Sequence, residues 1–301
     1  MKALVTGGTG FIGSNLALKL AEEGHEVVAI GASHEQKIEH PNIRVIYMGA
    51  LEIPWDKLGA VDVLFHEGAI ADTTIYDKEQ MVRANVETSK KFFEYASQHG
   101  ARKIVYASSC AVYGDLPGIF TEDGPVKPLN AYGESKVMQD EYALEFAKTH
   151  PSISVIGMRY SNVYGPRENH KGRMANMIFQ LAEQMRKGNP RLFKMGEQMR
   201  EYIHVDDVVR ANMLAVNAKQ SGIVNISLNP PRTFNDVVAI LNKVMGLTRT
   251  PLYIDNPYIG KYQSHIECDV TRAKELFGFS ATIGLEEGIQ SYFDSGYLAP
   301  R

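Results

Sequence analysis

Tyr132 and Lys136, in the run Tyr-Gly-Glu-Ser-Lys, stand four residues apart, a spacing that puts both side chains on one face of a helix. Upstream, Ser108-Ser109-Cys110-Ala111-Val112-Tyr113-Gly114 follows an apolar run that reads as a buried strand. A phenol with an ordinary pKa of about 10 is a poor base at neutral pH, but an adjacent ammonium and an oxidised nicotinamide both favour its phenolate. Tyr132 can then take or return an alcohol proton as hydride moves, with Ser109 holding the substrate oxygen and Lys136 supporting the phenolate. Taken alone, a Tyr/Lys pair at this spacing also describes an ordinary amphipathic boundary. The preceding serines and a glycine turn near the start of the chain favour catalysis. Cys110 reads as a packed strand-end residue, since no activating histidine adjoins it.

Hydride chemistry needs a carrier, and Thr6-Gly7-Gly8-Thr9-Gly10-Phe11-Ile12-Gly13 supplies a place for one. Glycines at 7, 10 and 13 between a strand and a helix let the backbone turn tightly and approach a pyrophosphate, whose charge is favoured at the helix N-terminus. Gly7, Gly10, Phe11, Ile12 and Gly13 are therefore expected against a dinucleotide. An acidic residue at the end of the second strand usually accepts the ribose hydroxyls of NAD. Here that place holds Gly31-Ala32-Ser33-His34. Without the carboxylate nothing repels a 2'-phosphate, and Ser33, His34 and Lys37 offer donors, so NADP is expected ahead of NAD.

The elements that must position these groups alternate. Strands are expected over 2–6, 26–30, 43–47, 61–66, 103–107 and 154–159, with helices over 11–23, 81–99 and 132–149. This alternation predicts an α/β fold with a doubly wound parallel sheet, the Rossmann arrangement. Beyond Tyr164-Gly165-Pro166 the elements shorten and Pro and Gly become more frequent. A helix over 205–217 and a strand over 222–226 read as rejoining the first sheet. The expected organisation is a dinucleotide-binding domain over 1–163, with residues 203–226 returning to it. A smaller, discontinuous α/β substrate lobe takes up 164–202 and 227–301.

Composition excludes several function classes. The chain has 301 residues, 44% hydrophobic and 22% charged, and a net charge of -3, which leaves no electrostatic footprint for nucleic acid. Two cysteines are too few for a disulfide framework or a metal cluster. No positively charged leader opens the sequence, and no apolar run reaches the roughly 18 residues that suggest a spanning helix. A cytoplasmic protein without metal, membrane or nucleic-acid partner is expected.

The chain resembles the extended short-chain dehydrogenase/reductase family of nucleotide-sugar enzymes across nearly its whole length, through residues 6–13, 106–114, 128–136, 159–167 and 200–207. Within it, the chain is most similar to the ADP-glyceromanno-heptose 6-epimerase branch. That similarity rests on Phe65-His66-Glu67-Gly68-Ala69, on Tyr164-Gly165-Pro166-Arg167-Glu168-Asn169-His170-Lys171-Gly172, and on Gly260-Lys261-Tyr262-Gln263. The resemblance implies oxidation of a nucleotide-diphospho-heptose at carbon 6, turnover of the ketone and return of hydride to its other face. It also implies a second acid/base group, Lys171, across the substrate from Tyr132. Glu67, Gly68, Ala69, Asn85, Lys136 and Val163 would contact cofactor; Asn162, Phe193, Arg200 and Tyr262 would contact the nucleotide-sugar. Arg200 suits diphosphate, which a guanidinium binds in bidentate fashion. The family usually forms homo-oligomers, and the same is expected here.

Two positions depart from the heptose pattern: Arg173 stands where it has serine and Gln180 where it has histidine. Either is a candidate to read a different nucleotide or sugar group. A nucleotide-hexose 4-epimerase, and a non-catalytic NADP-binding protein of the same fold, stay open as alternatives. A 4,6-dehydratase would carry an Asp-Glu pair where Cys110 and Ala111 stand. Asp207 is expected to cap the helix that follows it.

Overall fold

In the computed structural model, which describes residues 1–32, 37–47, 52–53, 55–72, 77–256, 263 and 265–298, the apolar runs of the first half become strands separated by helices. They are β1 (Lys2–Thr6), α1 (Phe11–Glu22), β2 (Glu26–Gly31), β3 (Ile43–Tyr47), β4 (Val63–His66), α2 (Lys78–Met81), α3 (Thr88–Gln98), β5 (Lys103–Ser109), α4 (Ala131–Thr149) and β6 (Ser154–Tyr160). The second half adds β7 (Asn162–Tyr164), α5 (Met177–Lys187), β8 (Arg191–Phe193), β9 (Met199–Arg200), β10 (Tyr202–His204), α6 (Val205–Ala215) and β11 (Gly222–Ile226). It ends with β12 (Arg232–Thr233), α7 (Phe234–Met245), β13 (Leu252–Ile254), α8 (Thr271–Phe277) and α9 (Leu285–Asp294).

Seven strands pair in parallel in the order β11-β6-β5-β4-β1-β2-β3. Strands covered on both faces must be apolar throughout, which is why they were legible as short runs. Successive β1 residues serve opposite faces, as a period of two requires. Ala3 and Val5 pack with Leu16 and Leu20 of α1 and Val208 of α6, while Leu4 packs with Phe92, Phe93 and Phe146. A further buried cluster joins α5, α7 and α9 through Ile178, Leu181, Val237, Leu241 and Ile289. The chain winds outward from β1 to β3 and then returns to β4 on the other side of β1. That reversal opens a crevice at the carboxyl ends of β1 and β4.

The doubly wound α/β fold is as expected, and β11 joins the sheet beside β6. Three details differ. The helix expected from 81 starts at Lys78 and contains a π-helical stretch, Val82–Glu87. The helix expected to reach 217 stops at Ala215. Asp207 does not cap that helix. His204 does, its Nδ1 accepting from the Asp206 N–H at 3.3 Å. Asp207 instead accepts the N–H groups of Thr282 and Ile283, both at 2.9 Å, and pairs with Arg210 at 2.6 Å. The two N–H groups lie some 75 residues downstream, beyond the reach of a local capping argument.

Helix α4 is held by a buried ion pair, Arg159 Nε to Asp140 Oδ2 at 2.9 Å. The same guanidinium donates to the Tyr113 hydroxyl at 2.9 Å, and the Tyr106 hydroxyl donates to Asp140 Oδ1 at 2.9 Å. Strands β5 and β6, the segment after Ser109 and helix α4 therefore share one polar knot. Among the described residues no helix is long and apolar enough to cross a membrane, and no group of three or more His, Cys, Asp or Glu is arranged to hold a metal ion. Removing one partner of a buried pair strands the other charge. Asp140→Ala is expected to lower stability by about 3–5 kcal/mol in urea titration, whereas an exposed pair such as Lys148–Glu145 should contribute under about 1 kcal/mol.

Candidate active site

The floor of the crevice is a glycine turn. Gly7 sits at φ 61°, and a Cβ there would lie 2.8 Å from the Cα and N of Gly68, so β1 and β4 approach backbone to backbone. A Cβ on Gly13 would collide with the Gly7 carbonyl, which already accepts the Gly10 N–H at 2.9 Å. Gly10 starts α1 without any side-chain cap. Phe11 is buried and Ile12 half-buried just inside the helix. The first N–H groups of α1 are thus left to a ligand, and an anionic one is favoured there. Gly31 ends β2 with its Cα against Thr9, leaving no room for a side chain where a ribose-binding carboxylate would stand. Lys37 is exposed, and its carbonyl accepts from Arg167 Nη2 at 2.7 Å. Ser33 and Tyr262 lie outside the described residues.

From this turn a buried chain of hydrogen bonds runs to the Tyr/Lys pair. Thr6 Oγ1 accepts the Gly68 N–H at 3.1 Å and meets His66 Nδ1 at 2.7 Å. His66 Nε2 meets Ser89 Oγ at 2.8 Å, and Gln139 Nε2 donates to the same oxygen at 2.8 Å. Lys136 Nζ donates to Gln139 Oε1 at 2.9 Å and to the Ala107 carbonyl at 2.6 Å. Because Ser89 gives its own proton to the Asn85 carbonyl, it must receive one from His66. The imidazole is then neutral with its proton on Nε2, an assignment by network. Burial, and then Lys136, push its pKa down to about 3, in agreement.

Ser109 ends β5 and caps the turn after it, its Oγ accepting the Ala111 N–H at 3.1 Å. Asn130 caps α4 through the Gly133 N–H at 2.9 Å, which sets Tyr132 and Lys136 in the first two turns. Lys136 is 1% exposed, with Nζ 5.9 Å from the centre of the Tyr132 ring. Burial pulls the ammonium down to about 8, against the pull of Asp140 and Glu67. Burial raises the Tyr132 phenol, while hydrogen bonding with Ser109 lowers it. Cys110 is buried with its sulfur 3.4 Å from that of Cys268, a packed position.

Glu67 and Gly68 follow β4 beside this group, with Ala69 exposed next to them. Burial pushes Glu67 up to about 7, opposed by the Tyr160 hydroxyl, which donates to Oε1 at 3.1 Å, and by Lys136. Its Oε2 has no hydrogen-bond partner among the described residues. An uncapped helix N-terminus, a glycine cradle and an orphaned carboxylate oxygen at one crevice fit a dinucleotide. Asn85 is buried in the π-helical stretch and bonds the Ile70 backbone and the Ser135 hydroxyl, which ties that stretch to the segment after β4 and to α4.

A strap, residues 165–176, crosses the other side. Asn15 Nδ2 donates to the Pro166 carbonyl at 3.1 Å, and Arg167 Nε to Ser14 Oγ at 3.1 Å. Lys171 Nζ lies 5.7 Å from the Phe11 ring centre. Arg173, its side chain 81% exposed, reaches Asp72 at 3.7 Å. Helix α4, which carries Tyr132, packs on β5, while Phe11, beside Lys171, follows β1; β4 lies between those two strands, which puts them roughly 10 Å apart. Gln180 donates Nε2 to the carbonyls of Arg173 and Ala175, at 3.0 and 2.7 Å, which ties α5 to the strap.

The remaining candidates lie farther along the second half. Asn162 donates to the Glu201 carbonyl at 2.9 Å, Val163 is half-buried in β7, and Phe193 is half-buried in β8. Arg200 is buried over the Phe234 ring, donating to the carbonyls of Met199 and Gln263. Sequence reasoning missed His66, Arg167, Glu168 and Asp72. His66, Arg167 and Glu168 stand in stretches that carry the family resemblance, but no role was read for them; Asp72 gave no signal.

The sequence pattern described as "NAD dependent epimerase/dehydratase family" matches residues 3–227. An ADP-L-glycero-D-manno-heptose-6-epimerase from Alkalilimnicola ehrlichii is 35% identical, over 99% of this chain and 98% of that protein. The crystal structure of the Helicobacter pylori ADP-L-glycero-D-manno-heptose-6-epimerase superposes with a TM-score of 0.85 at 31% identity, covering 98% of this chain and 95% of that one. That of a Thermotoga maritima UDP-glucose 4-epimerase with UDP-glucose reaches 0.89 at 28% identity, covering 98% of both.

One consequence of the geometry is a pH dependence. A carboxyl that rises from 4.5 unfolded to about 7 folded binds an extra proton in the native state across that window, so stability of the ligand-free protein falls as pH rises through it. His66 works in the opposite sense below its ordinary value and is common to any comparison. Glu67→Gln is expected to gain about 2–3 kcal/mol over the unsubstituted protein at pH 8, and little at pH 4.5, by denaturant titration.

Proposed function

The chain belongs to the NAD dependent epimerase/dehydratase family, and on that premise we propose that it inverts carbon 6 of a nucleotide-diphospho-heptose through a transient ketone. The observation that carries the reading is Lys171, which the strap sets against Phe11 on the β1 side of the crevice while Tyr132 stands on the β5 side. Inversion needs proton handling at both faces of one carbon, and two acid/base groups on opposite walls answer that need. A hexose 4-epimerase is the competing reading. A binding-only protein would have no use for Tyr132 and Lys136 held this way.

A bound nicotinamide would supply the hydride acceptor and donor at this site. Gly7, Gly10, Gly13 and the N–H groups of α1 would hold its pyrophosphate, and Gly68 and Glu67 would contact it. Tyr132 takes the proton of the sugar hydroxyl, Ser109 holds that oxygen, and the Lys136 ammonium stabilises the phenolate. After the ketone turns over, Lys171 provides the proton at the opposite face. Arg200 and Phe193 take the nucleotide part, together with Asn162 and Tyr262. Arg173, exposed at the rim, reads an anionic group on the substrate. Helix α4 exposes Met138 and Leu144, and a homo-oligomer would cover them.

NADP is the favoured cofactor, because Gly31 leaves no carboxylate at the ribose and Arg167 brings a guanidinium to the Lys37 loop. In fluorescence titrations NADP should bind more tightly than NAD; tighter NAD binding would reverse the assignment. The reaction is tested by incubating the protein with nucleotide-heptoses and nucleotide-hexoses and following the epimers by NMR. Conversion at carbon 6 is expected, and turnover only of a hexose at carbon 4 sinks the proposal. Tyr132→Phe and Lys171→Met should each cut turnover by about a hundredfold or more while cofactor binding persists.

A further inference from the structure

Lys171 needs a reason to stay where it is, since it sits in a short 3-10 stretch, Asn169–Met174, between a strand and a helix. We infer that Glu168 is a positioning residue for Lys171: its buried carboxylate clasps both ends of the strap and so fixes where the ammonium stands over the crevice. The inference rests on the proposed acid/base role of Lys171, but the clasp is a matter of geometry.

Glu168 is fully buried. Its Oε2 accepts the Asn176 N–H at 2.7 Å and its Oε1 the Gly165 N–H at 3.3 Å. One carboxylate therefore bridges the residue at which the chain leaves β7 and the residue that caps α5. Both ends are fixed in turn. Gly165, at φ 142°, lies so close to α6 that a Cβ would come within 2.7 Å of Val205 Cγ1. Asn176 accepts the Ile178 N–H at 3.0 Å and donates to the Val163 carbonyl at 3.1 Å. Inside the loop, the Lys171 N–H donates to the Glu168 carbonyl at 2.9 Å, and Gly172 at φ 54° turns the chain back.

The residue type follows from the donors. Two backbone N–H groups converge from opposite sides in a dry place, and each would cost free energy if left unmade. A carboxylate offers an acceptor to each; a carboxamide would offer one acceptor and confront the other N–H with its own donor. The charge also has a partner. Burial lowers the Lys171 ammonium and Glu168 pulls it back up. Burial pushes Glu168 up to about 7, opposed by the Asn176 N–H, then by Lys171, with the Tyr292 phenol of α9 beside it.

The test compares the unsubstituted protein with Glu168→Gln and Glu168→Asp, the second keeping the charge but too short to span both donors. Amide exchange read by mass spectrometry reports the clasp. Competitive labelling with acetic anhydride across pH reports the accessibility and titration midpoint of Lys171, with Lys136 as the internal control. In either variant the Gly165 and Asn176 amides should exchange about tenfold to a hundredfold faster. Lys171 labelling should rise with a shifted midpoint, and Lys136 should stay unchanged. In turnover, kcat should fall while KM stays within about threefold. Unchanged Lys171 labelling in the variant that folds overturns the inference, and so does a rise shared equally by Lys136, which would mean general loosening. Full turnover by Lys171→Met would instead remove the acid/base reading and leave the clasp to stand on the exchange data.

Discussion

The site depends on one buried hydrogen-bond chain, from the Gly68 N–H through Thr6, His66, Ser89 and Gln139 to the Lys136 ammonium. It crosses β1, β4, α3 and α4, so the relative heights of two strands and two helices are fixed by whether each donor finds its acceptor. A slip of β4 by one residue would turn His66 to the other face and leave Thr6, Ser89 and Gln139 unsatisfied in the core. Because Ser89 has only one proton and spends it on Asn85, the two arms of the chain, from Thr6 through His66 and from Lys136 through Gln139, both donate toward the Ser89 oxygen. It ends by orienting Lys136 beside Tyr132, and it holds that lysine without a carboxylate in direct contact. This is how an ammonium can be fully buried yet keep a depressed, responsive pKa.

The crevice has two walls of different construction. The β5 wall is rigid: Ser109, Tyr132 and Lys136 are set by strand ends, a capped helix and the Arg159–Asp140 pair beneath. The β1 wall is a strap stitched to its surroundings by side chains: Asn15 and Arg167 near one end, Arg173 to Asp72 near the other. Within the strap the Glu168 carboxylate closes both ends from inside, and the exposed Arg173–Asp72 pair is the weakest of its holds.

Much of this was legible in the chain and some could not be. The sheet showed because strands covered on both faces are short apolar runs whatever their order, and Gly222–Ile226 carried the same signature although it lies far from its neighbour β6 in sequence. The Tyr132/Lys136 spacing and the glycines at 7, 10 and 13 are local, so they could be read directly. His66, Glu168, Arg167 and Asp72 act through partners brought together by folding, and no local spacing announces them. Asp207 shows the error this invites: at the start of a helix it looked like a cap, while the backbone N–H groups it accepts belong to Thr282 and Ile283. The π-helical stretch was equally hidden, since its apolar pattern continues that of the helix around it and Asn85 is held by a loop and by α4.

Gly31 has a consequence for how this protein can change. Its Cα lies against Thr9, whose Oγ1 donates to the Ala32 carbonyl at 3.1 Å, and a Cβ at 31 would meet the Thr9 backbone nitrogen at 2.9 Å as well as its side chain. An aspartate there is therefore out of reach by one substitution, and trimming Thr9 alone would still leave the backbone contact. Any drift in ribose recognition has to begin in the residues after β2, or with a joint rebuilding of the glycine turn. The turn that admits the cofactor thus also fences off one mutational route by which its choice of cofactor would be revised.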